Sequence, residues 1–329
     1  MSLAAPRSCG SRTATSVRQL GLISGLVLIL LGFWPLLPLK GRPSGNPAKE
    51  DPLVVSFYFS VFDKGGKSIE TLTQKDFQVL EDKAPQTITT LKFEKDVPVS
   101  IGILVDISRS MGAGGTNLAL GWVKSLAQKM KSPDEIFVNS FSDESQEVID
   151  YISPEDYLDD PLEKLGAGGQ SRTGLAVDLG LIKLRDARNS KRGLLLISPG
   201  RDIAGRATME HIARFRSPVY ALGIGGTEGF GGIFDRLKSV NMRGSPLSLY
   251  AEASGGSVAF VDSPDAGEQW LEKFYSEFRS QYRVEYHSTN AKRDGKLRKI
   301  EIRIADSEYS LRYLRKYQGP YGPNAATRY

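Results

Sequence analysis

The chain has 329 residues, a quarter of them charged, and a formal net charge of +5. Arg7, Arg12 and Arg18 supply three of those charges and no acid precedes residue 40, so the remainder carries only +2 and offers nucleic acid no basic surface. The length suits about two domains, and a single cysteine, Cys9, excludes an intrachain disulfide.

The first feature in chain order is the apolar run from Leu20 to Leu39, close to the ~20 residues that cross a bilayer as a helix. Lys40, Gly41 and Arg42 stand where a small-residue cleavage triplet would be expected, so residues 1–39 read as an uncleaved signal-anchor. The preceding arginines hold that end in the cytoplasm and place everything after about Lys40 outside it, in the cell membrane by one span; secretion after cleavage is the alternative. Cys9 precedes the run and is not a lipid-attachment cysteine. Residues 40–51, polar with Pro and Gly, read as a tether.

Residues 52–96 are strand-like, with Val55, Phe57, Phe59 and Val61 alternating onto one face and a turn at Asp63-Lys64-Gly65-Gly66. Over 97–280 apolar runs alternate with helical patterns. Strands are expected at Val99–Val105, Ile136–Phe141, Gly193–Ile197, Val219–Ile224 and Val258–Val261, and helices near Leu118–Met130, Thr173–Arg188, Thr208–Arg216, Pro246–Ala253 and Ala266–Ser280. That alternation argues for an α/β domain, a doubly wound, mostly parallel sheet with ligands at the carboxyl ends of its strands. Residues 281–318 return to β pattern, with Asp294-Gly295 as a hairpin signal between Tyr282–His287 and Leu297–Ile304, before a tail of 319–329. Neither flank can bury a face alone, so the two are expected to pair as one small β-sandwich into which the α/β domain is inserted.

The chemistry concentrates at Val105-Asp106-Ile107-Ser108-Arg109-Ser110-Met111. A buried strand that ends in a carboxylate and two hydroxyls two residues apart directs three oxygens into one loop, which suits Mg²⁺, Mn²⁺ or Ca²⁺. The same hydroxyls can instead cap the next helix. Other motifs carry less. Gly223-Ile224-Gly225-Gly226-Thr227-Glu228-Gly229 has Glu228 where a dinucleotide loop needs its third glycine, and a carboxylate there repels pyrophosphate. The segment to Gly244 reads as a loop at the same edge, with Phe230 and Phe234 as candidate ligand contacts. His211 and His287 form no zinc pair and no hydrolase constellation, so no enzyme is expected. The run Lys292 to Lys316, nine basic residues against four acidic, reads as the solvated face of a hairpin.

Pro98 to about Gly256 resembles the von Willebrand factor type A (VWFA) domain. The flanks Val54-Val55, Leu72-Thr73-Gln74-Lys75-Asp76-Phe77, Leu80-Glu81-Asp82 and Gln281-Tyr282-Arg283-Val284-Glu285-Tyr286, with Gly319-Pro320-Tyr321, resemble its bacterial VWFA-related branch. The resemblance implies a metal-ion-dependent adhesion site made by Asp106, Ser108, Ser110 and Thr173, the last in Gly168-Gly169-Gln170-Ser171-Arg172-Thr173. The third loop departs from the family: Leu196-Ile197-Ser198-Pro199-Gly200-Arg201-Asp202 puts Pro199 where an Asp is usual, with Asp202 as a substitute. Arg109 and Arg201 add positive charge beside the site and could themselves grip a carboxylate. The expectation is a membrane-anchored, extracytoplasmic protein that binds a partner's acidic residue through bound Mg²⁺. A metal-independent structural or assembly module with a decayed site is the competing reading.

Overall fold

A computed structural model describes residues 53–153, 162, 165–224, 244–261, 263–306 and 308–322. The apolar run Leu20–Leu39, the tether, Cys9, Phe230 and Phe234 lie outside them. No helix among the described residues is long and apolar enough to cross a membrane.

The strands run in order β1 (Val54–Phe62), β2 (Phe77–Glu81), β3 (Ala84–Gln86), β4 (Ile88–Glu94), β5 (Val99–Asp106), β6 (Glu135–Phe141), β7 (Ser145–Ile152), β8 (Lys191–Ser198), β9 (Val219–Ile224), β10 (Val258–Val261), β11 (Gln281–His287), β12 (Leu297–Ile304), β13 (Ser310–Tyr313) and β14 (Lys316–Gln318). The helices described are α1 (Gly112–Lys129), α2 (Thr173–Lys183), α3 (Arg206–Phe215), α4 (Pro246–Ser254) and α5 (Pro264–Arg279).

The central sheet has the order β10-β9-β8-β5-β6-β7. All its pairs are parallel except β6 with β7, which is antiparallel. β5 is buried at every residue, as a strand covered on both faces must be, which is why it reads as an unbroken apolar run. Trp122, Val123 and Leu126 of α1 and Leu271, Phe274 and Phe278 of α5 share one core with Ile101, Ile103 and Val105; Ala176, Val177 and Leu181 of α2 and Leu247 and Tyr250 of α4 share the other with Leu104, Leu194 and Leu196. At Gly267 of α5 a Cβ would sit 2.0 Å from the Trp122 ring, so the absence of a side chain there sets how closely α5 meets α1. α4 and α5 begin on Ser245 and Ser263, each accepting a backbone N–H and followed by Pro, a favourable helix start. The chain order reverses between β5 and β8, so that their carboxyl ends form the crevice where doubly wound sheets bind ligands.

The flanks pair across the insertion, as expected. β1 lies between β11 and β13, with Phe57 opposite Val284 and Phe59 opposite Tyr282, and β4 completes the sheet beyond β11. A second sheet, β14-β12-β2-β3, closes over it around Val55, Phe59, Val61, Val79, Tyr286, Ile300 and Tyr317.

Four local expectations need correction. β11 and β12 do not form the Asp294-Gly295 hairpin: both edges of β11 are already occupied by β1 and β4, so the chain crosses to the other sheet and β12 pairs with β2 and β14. Arg298 in the basic run is correspondingly not solvated; it is 2% exposed and pairs with Glu81. Strand β7 was not anticipated, because Ser145–Ile152 is half polar and half exposed at the sheet edge. The helix read as Thr173–Arg188 ends at Lys183 and continues as a 3-10 turn, Leu184–Asp186.

Candidate functional site

Three loops at the carboxyl ends of β5 and β8 converge on Asp106, which is fully buried. Its Oδ1 accepts the backbone N–H of Ser108 at 2.8 Å. Its Oδ2 accepts two hydroxyls, Ser171 Oγ at 2.8 Å from the loop before α2 and Ser198 Oγ at 2.7 Å from the last position of β8. Ser198 Oγ in turn accepts the N–H of Gly200 at 3.0 Å.

The other hydroxyls join the same cluster. Ser108 Oγ and Ser110 Oγ are 2.8 Å apart, and Ser171 Oγ and Thr173 Oγ1 are 3.1 Å apart. The first two loops are also tied through the backbone, Gly168 N donating to Ile107 O at 2.7 Å and Arg109 N to Gly169 O at 3.1 Å. Gly169 has φ +75°, and a Cβ there would meet Asp143 Oδ2 at 2.4 Å; with Gln170 N donating to Asp143 Oδ1, this position requires glycine.

Asp106, Ser108, Ser110 and Thr173 are thus brought together. Asp202 is not: its Oδ1 accepts the adjacent N–H of Ile203 at 2.7 Å, and it contributes no hydrogen bond to the cluster. Pro199 follows Ser198 and supplies no side-chain oxygen. Arg109 and Arg201 are exposed at the rim, as is Arg172, and none of the three guanidiniums has an ion-pair partner among the described residues. Ser171 and Ser198 were not anticipated. Ser198 could have been found from parallel register, since Val105 lies opposite Ile197 and the next position on each strand is Asp106 and Ser198.

A hard divalent cation can be tested against this donor set. All the oxygens are carboxylate or hydroxyl, the chemistry Mg²⁺ prefers, and oxygens held about 2.1 Å from it stand about 3.0 Å apart along an octahedron edge. The two hydroxyl pairs have that spacing. The charge is sparse: among the described residues no group of three or more His, Cys, Asp and Glu side chains is placed to hold a metal. The donors therefore fit Mg²⁺ in kind, and the Ser108–Ser110 pair fits it in spacing, with Asp106 as the one carboxylate of the cluster to neutralise it. His211 stands apart, its Nδ1 3.0 Å from Asp178 Oδ1 between α2 and α3.

No family model and no curated protein sequence matches the chain. Solved structures similar to it include a conserved hypothetical protein, BatB, from Bacteroides thetaiotaomicron, at 18% identity and a TM-score of 0.44 over 55% of this chain and 98% of that one. An aerotolerance-related membrane protein from Bacteroides fragilis is 17% identical with a TM-score of 0.42 over 54% and 99% of the two chains. A von Willebrand factor type A structure from Catenulispora acidiphila is 12% identical with a TM-score of 0.45, covering 82% of this chain and 76% of that chain. By its own strand order, with helices on both faces and the Asp106 loop at the point where that order reverses, the segment from β5 to α5 is a doubly wound α/β domain with a mostly parallel sheet.

Proposed function

We propose that this chain is a protein-binding module that recognises an acidic residue of a partner at the carboxyl end of its central sheet, with Mg²⁺ held by Asp106, Ser108, Ser110 and Thr173. The observation that supports the reading most is the cluster itself: one fully buried carboxylate with five hydroxyls from three loops, and no base or nucleophile pair among them. Bound Mg²⁺ would supply a Lewis-acidic position for a partner carboxylate, which also completes the charge that Asp106 alone leaves unbalanced. The module binds rather than catalyses, and residues 1–39 anchor it with the β-sandwich and central domain outside the cytoplasm.

A second reading has its own support. Asp106 Oδ2 is already satisfied by Ser171 and Ser198, and each of the three loops carries an exposed arginine, Arg109, Arg172 or Arg201, so this end of the sheet can receive a partner carboxylate on guanidinium alone. Isothermal titration of residues 49–329, one compact unit, with Mg²⁺ and Mn²⁺ separates the two. Saturable binding lost in Asp106→Ala is expected for the metal-dependent module; no heat for either cation up to millimolar concentration overturns it in favour of the arginine reading.

A further inference from the structure

The β-sandwich and the central domain enclose a cleft at the end of the sheet opposite Asp106. Residues alternate along β1 and β11: Val55, Phe57, Phe59, Tyr282 and Val284 fill the sandwich core, so Ser56, Tyr58, Arg283 and Glu285 turn outward. That outer face meets the amino end of the central sheet, where β8 begins at Lys191, and the space between them has a volume of about 610 Å³. This lies within the ordinary range for small-molecule sites. Seven residues of β8, about 23 Å of strand, separate Lys191 from Ser198 in the Asp106 cluster.

Lys191 is the lining residue whose hydrogen-bonding capacity is unanswered. It is buried, and its Nζ, 4.3 Å from the Tyr58 ring centre and 5.8 Å from that of Phe278, has no hydrogen-bond partner among the described residues. Ring faces attract an ammonium but supply none of the acceptors that its three protons require. The carboxylates of the cleft are committed elsewhere. Glu94 accepts the Tyr58 hydroxyl at 3.0 Å and pairs with Arg283 at 3.5 Å, and Glu285 pairs with the same guanidinium. Arg192, also in the lining, donates to the main-chain carbonyls of Leu184 and Arg185, which leave its charge in place. With Arg216 the lining holds four basic side chains against two acidic ones, so the ligand it suits is an anion.

We propose that this cleft binds a small organic anion, whose carboxylate or phosphate oxygens take the place beside Lys191 Nζ that no protein acceptor fills. The site needs neither a metal nor a protein partner, and goes beyond the reading of the Asp106 end. The Tyr58 ring lies against the amine, so the anion reaches Nζ by displacing that half-buried ring, which is held through its hydroxyl by Glu94. Burial lowers the amine to about 7; Glu94 of β4 and Glu277 of α5 oppose the shift, and Arg279 of α5 adds to it. Tyr58 of β1 stays protonated, burial raising its hydroxyl above the ordinary value, and Arg283 of β11 stays charged. Above about pH 7 the empty cleft therefore holds a neutral amine, and an anion that binds as an ion pair must bring a proton with it.

The test uses the full chain in a phosphatidylcholine nanodisc, with two probes: sulfate, which stays fully ionised through neutrality, and succinate, a dicarboxylate. Calorimetric titration in two buffers of different ionisation enthalpy should show one saturable site, with most of one proton taken up per anion at about pH 8. Affinity should fall about tenfold between about pH 7.5 and 8.5. Lys191→Met should weaken either anion at least about tenfold at about pH 6.5, the loss of a charge-assisted hydrogen bond, and should abolish the proton uptake. The proton uptake is read on the wild type and does not depend on any variant folding. No saturable heat for either probe overturns the proposal, and so does binding without proton uptake. Binding that survives Lys191→Met also overturns it, by placing the anion elsewhere, as on the exposed Arg109, Arg172 or Arg201 at the far end of the sheet.

Discussion

Ser198 Oγ donates to Asp106 Oδ2 at 2.7 Å, joining the last residues of two neighbouring parallel strands at the point where the chain order reverses. Both groups are fully buried, so each depends on the other for satisfaction of its polar atoms. Ser198→Ala leaves Asp106 Oδ2 with Ser171 as its one hydroxyl donor and should cost about 1–3 kcal/mol without metal. A cation held at Asp106 would compensate the lost donor, so with saturating Mg²⁺ the loss should shrink. Urea unfolding of the variant with and without Mg²⁺ reads the difference, and an equal loss under both conditions argues against a cation at Asp106.

The sandwich is organised around a charge that neither flank can satisfy alone. Glu81 of β2 accepts from Tyr317 at 2.7 Å, Ser288 at 2.8 Å and Tyr286 at 3.0 Å, and pairs with Arg298 at 3.2 Å. Glu81→Ala strands the buried Arg298 guanidinium and should destabilise the protein by about 3–5 kcal/mol. Arg298→Met should cost less, because three hydroxyl donors still face the carboxylate. Denaturant midpoints of the two variants give the order, and the reverse order would mean that the arginine packs rather than pairs.

Much of this architecture was legible because it follows from burial. A strand covered on both faces has to be apolar throughout, so Val99–Val105 disclosed a parallel core, and its terminal Asp106 marked where hydroxyls from three loops gather. The Asp294-Gly295 turn misled because a turn signal is local, whereas whether β12 can pair with β11 depends on edges already filled by β1 and β4, far away in sequence. Arg298 was illegible for the same reason: its partner lies 217 residues earlier, and a basic run looks solvated until the carboxylate beneath it is known. Ser171 and Ser198 needed only the register of β5 with β8 and the closure of the loop before α2. The two serines of the first loop were accessible from their spacing behind Asp106, and Thr173 through resemblance, which carries ligand positions but not the hydrogen bonds among them.

Lys191, at the start of β8, is 2% exposed, and its Nζ lies 4.3 Å from the Tyr58 ring centre with no hydrogen-bond partner among the described residues. Burial pushes its amine down from 10.5 to about 7, Glu94 and Glu277 opposing the shift and Arg279 adding to it. Between those values the unfolded chain binds the proton and the folded one does not, so stability should rise with pH, by up to about 1.4 kcal/mol per unit. Below about pH 7 both states are charged and the burial cost is present in full. Lys191→Met should flatten the rise and stabilise the protein most at the acid end; unfolding free energies at about pH 6, 7.5 and 9 check this. A wild-type curve as flat as the variant's would show that the ammonium finds solvent in the folded state.

The metal-dependent site and a decayed one differ in how they respond to charge. A cation that binds only the folded state adds RT ln(1 + [L]/Kd), about 2.7 kcal/mol at a hundredfold excess over Kd, enough to move a melting curve. Asp106→Ala removes the one buried carboxylate of the cluster and should abolish any Mg²⁺ shift. Pro199→Asp returns a carboxylate beside Ser198 and should enlarge the shift, and Arg201→Ala should enlarge it less, by removing one exposed cation from the rim. Arg201→Ala also weakens the arginine reading, in which that side chain binds the partner directly. The informative comparison is therefore between the wild type and Pro199→Asp. If both respond, with the variant stronger, Asp106 and its hydroxyls hold Mg²⁺ in the native protein. A response in Pro199→Asp alone means that the loss of the third-loop carboxylate has emptied an inherited site, and partner binding then runs through Arg109, Arg172 and Arg201. No response in either overturns the assignment of these three loops to one cation.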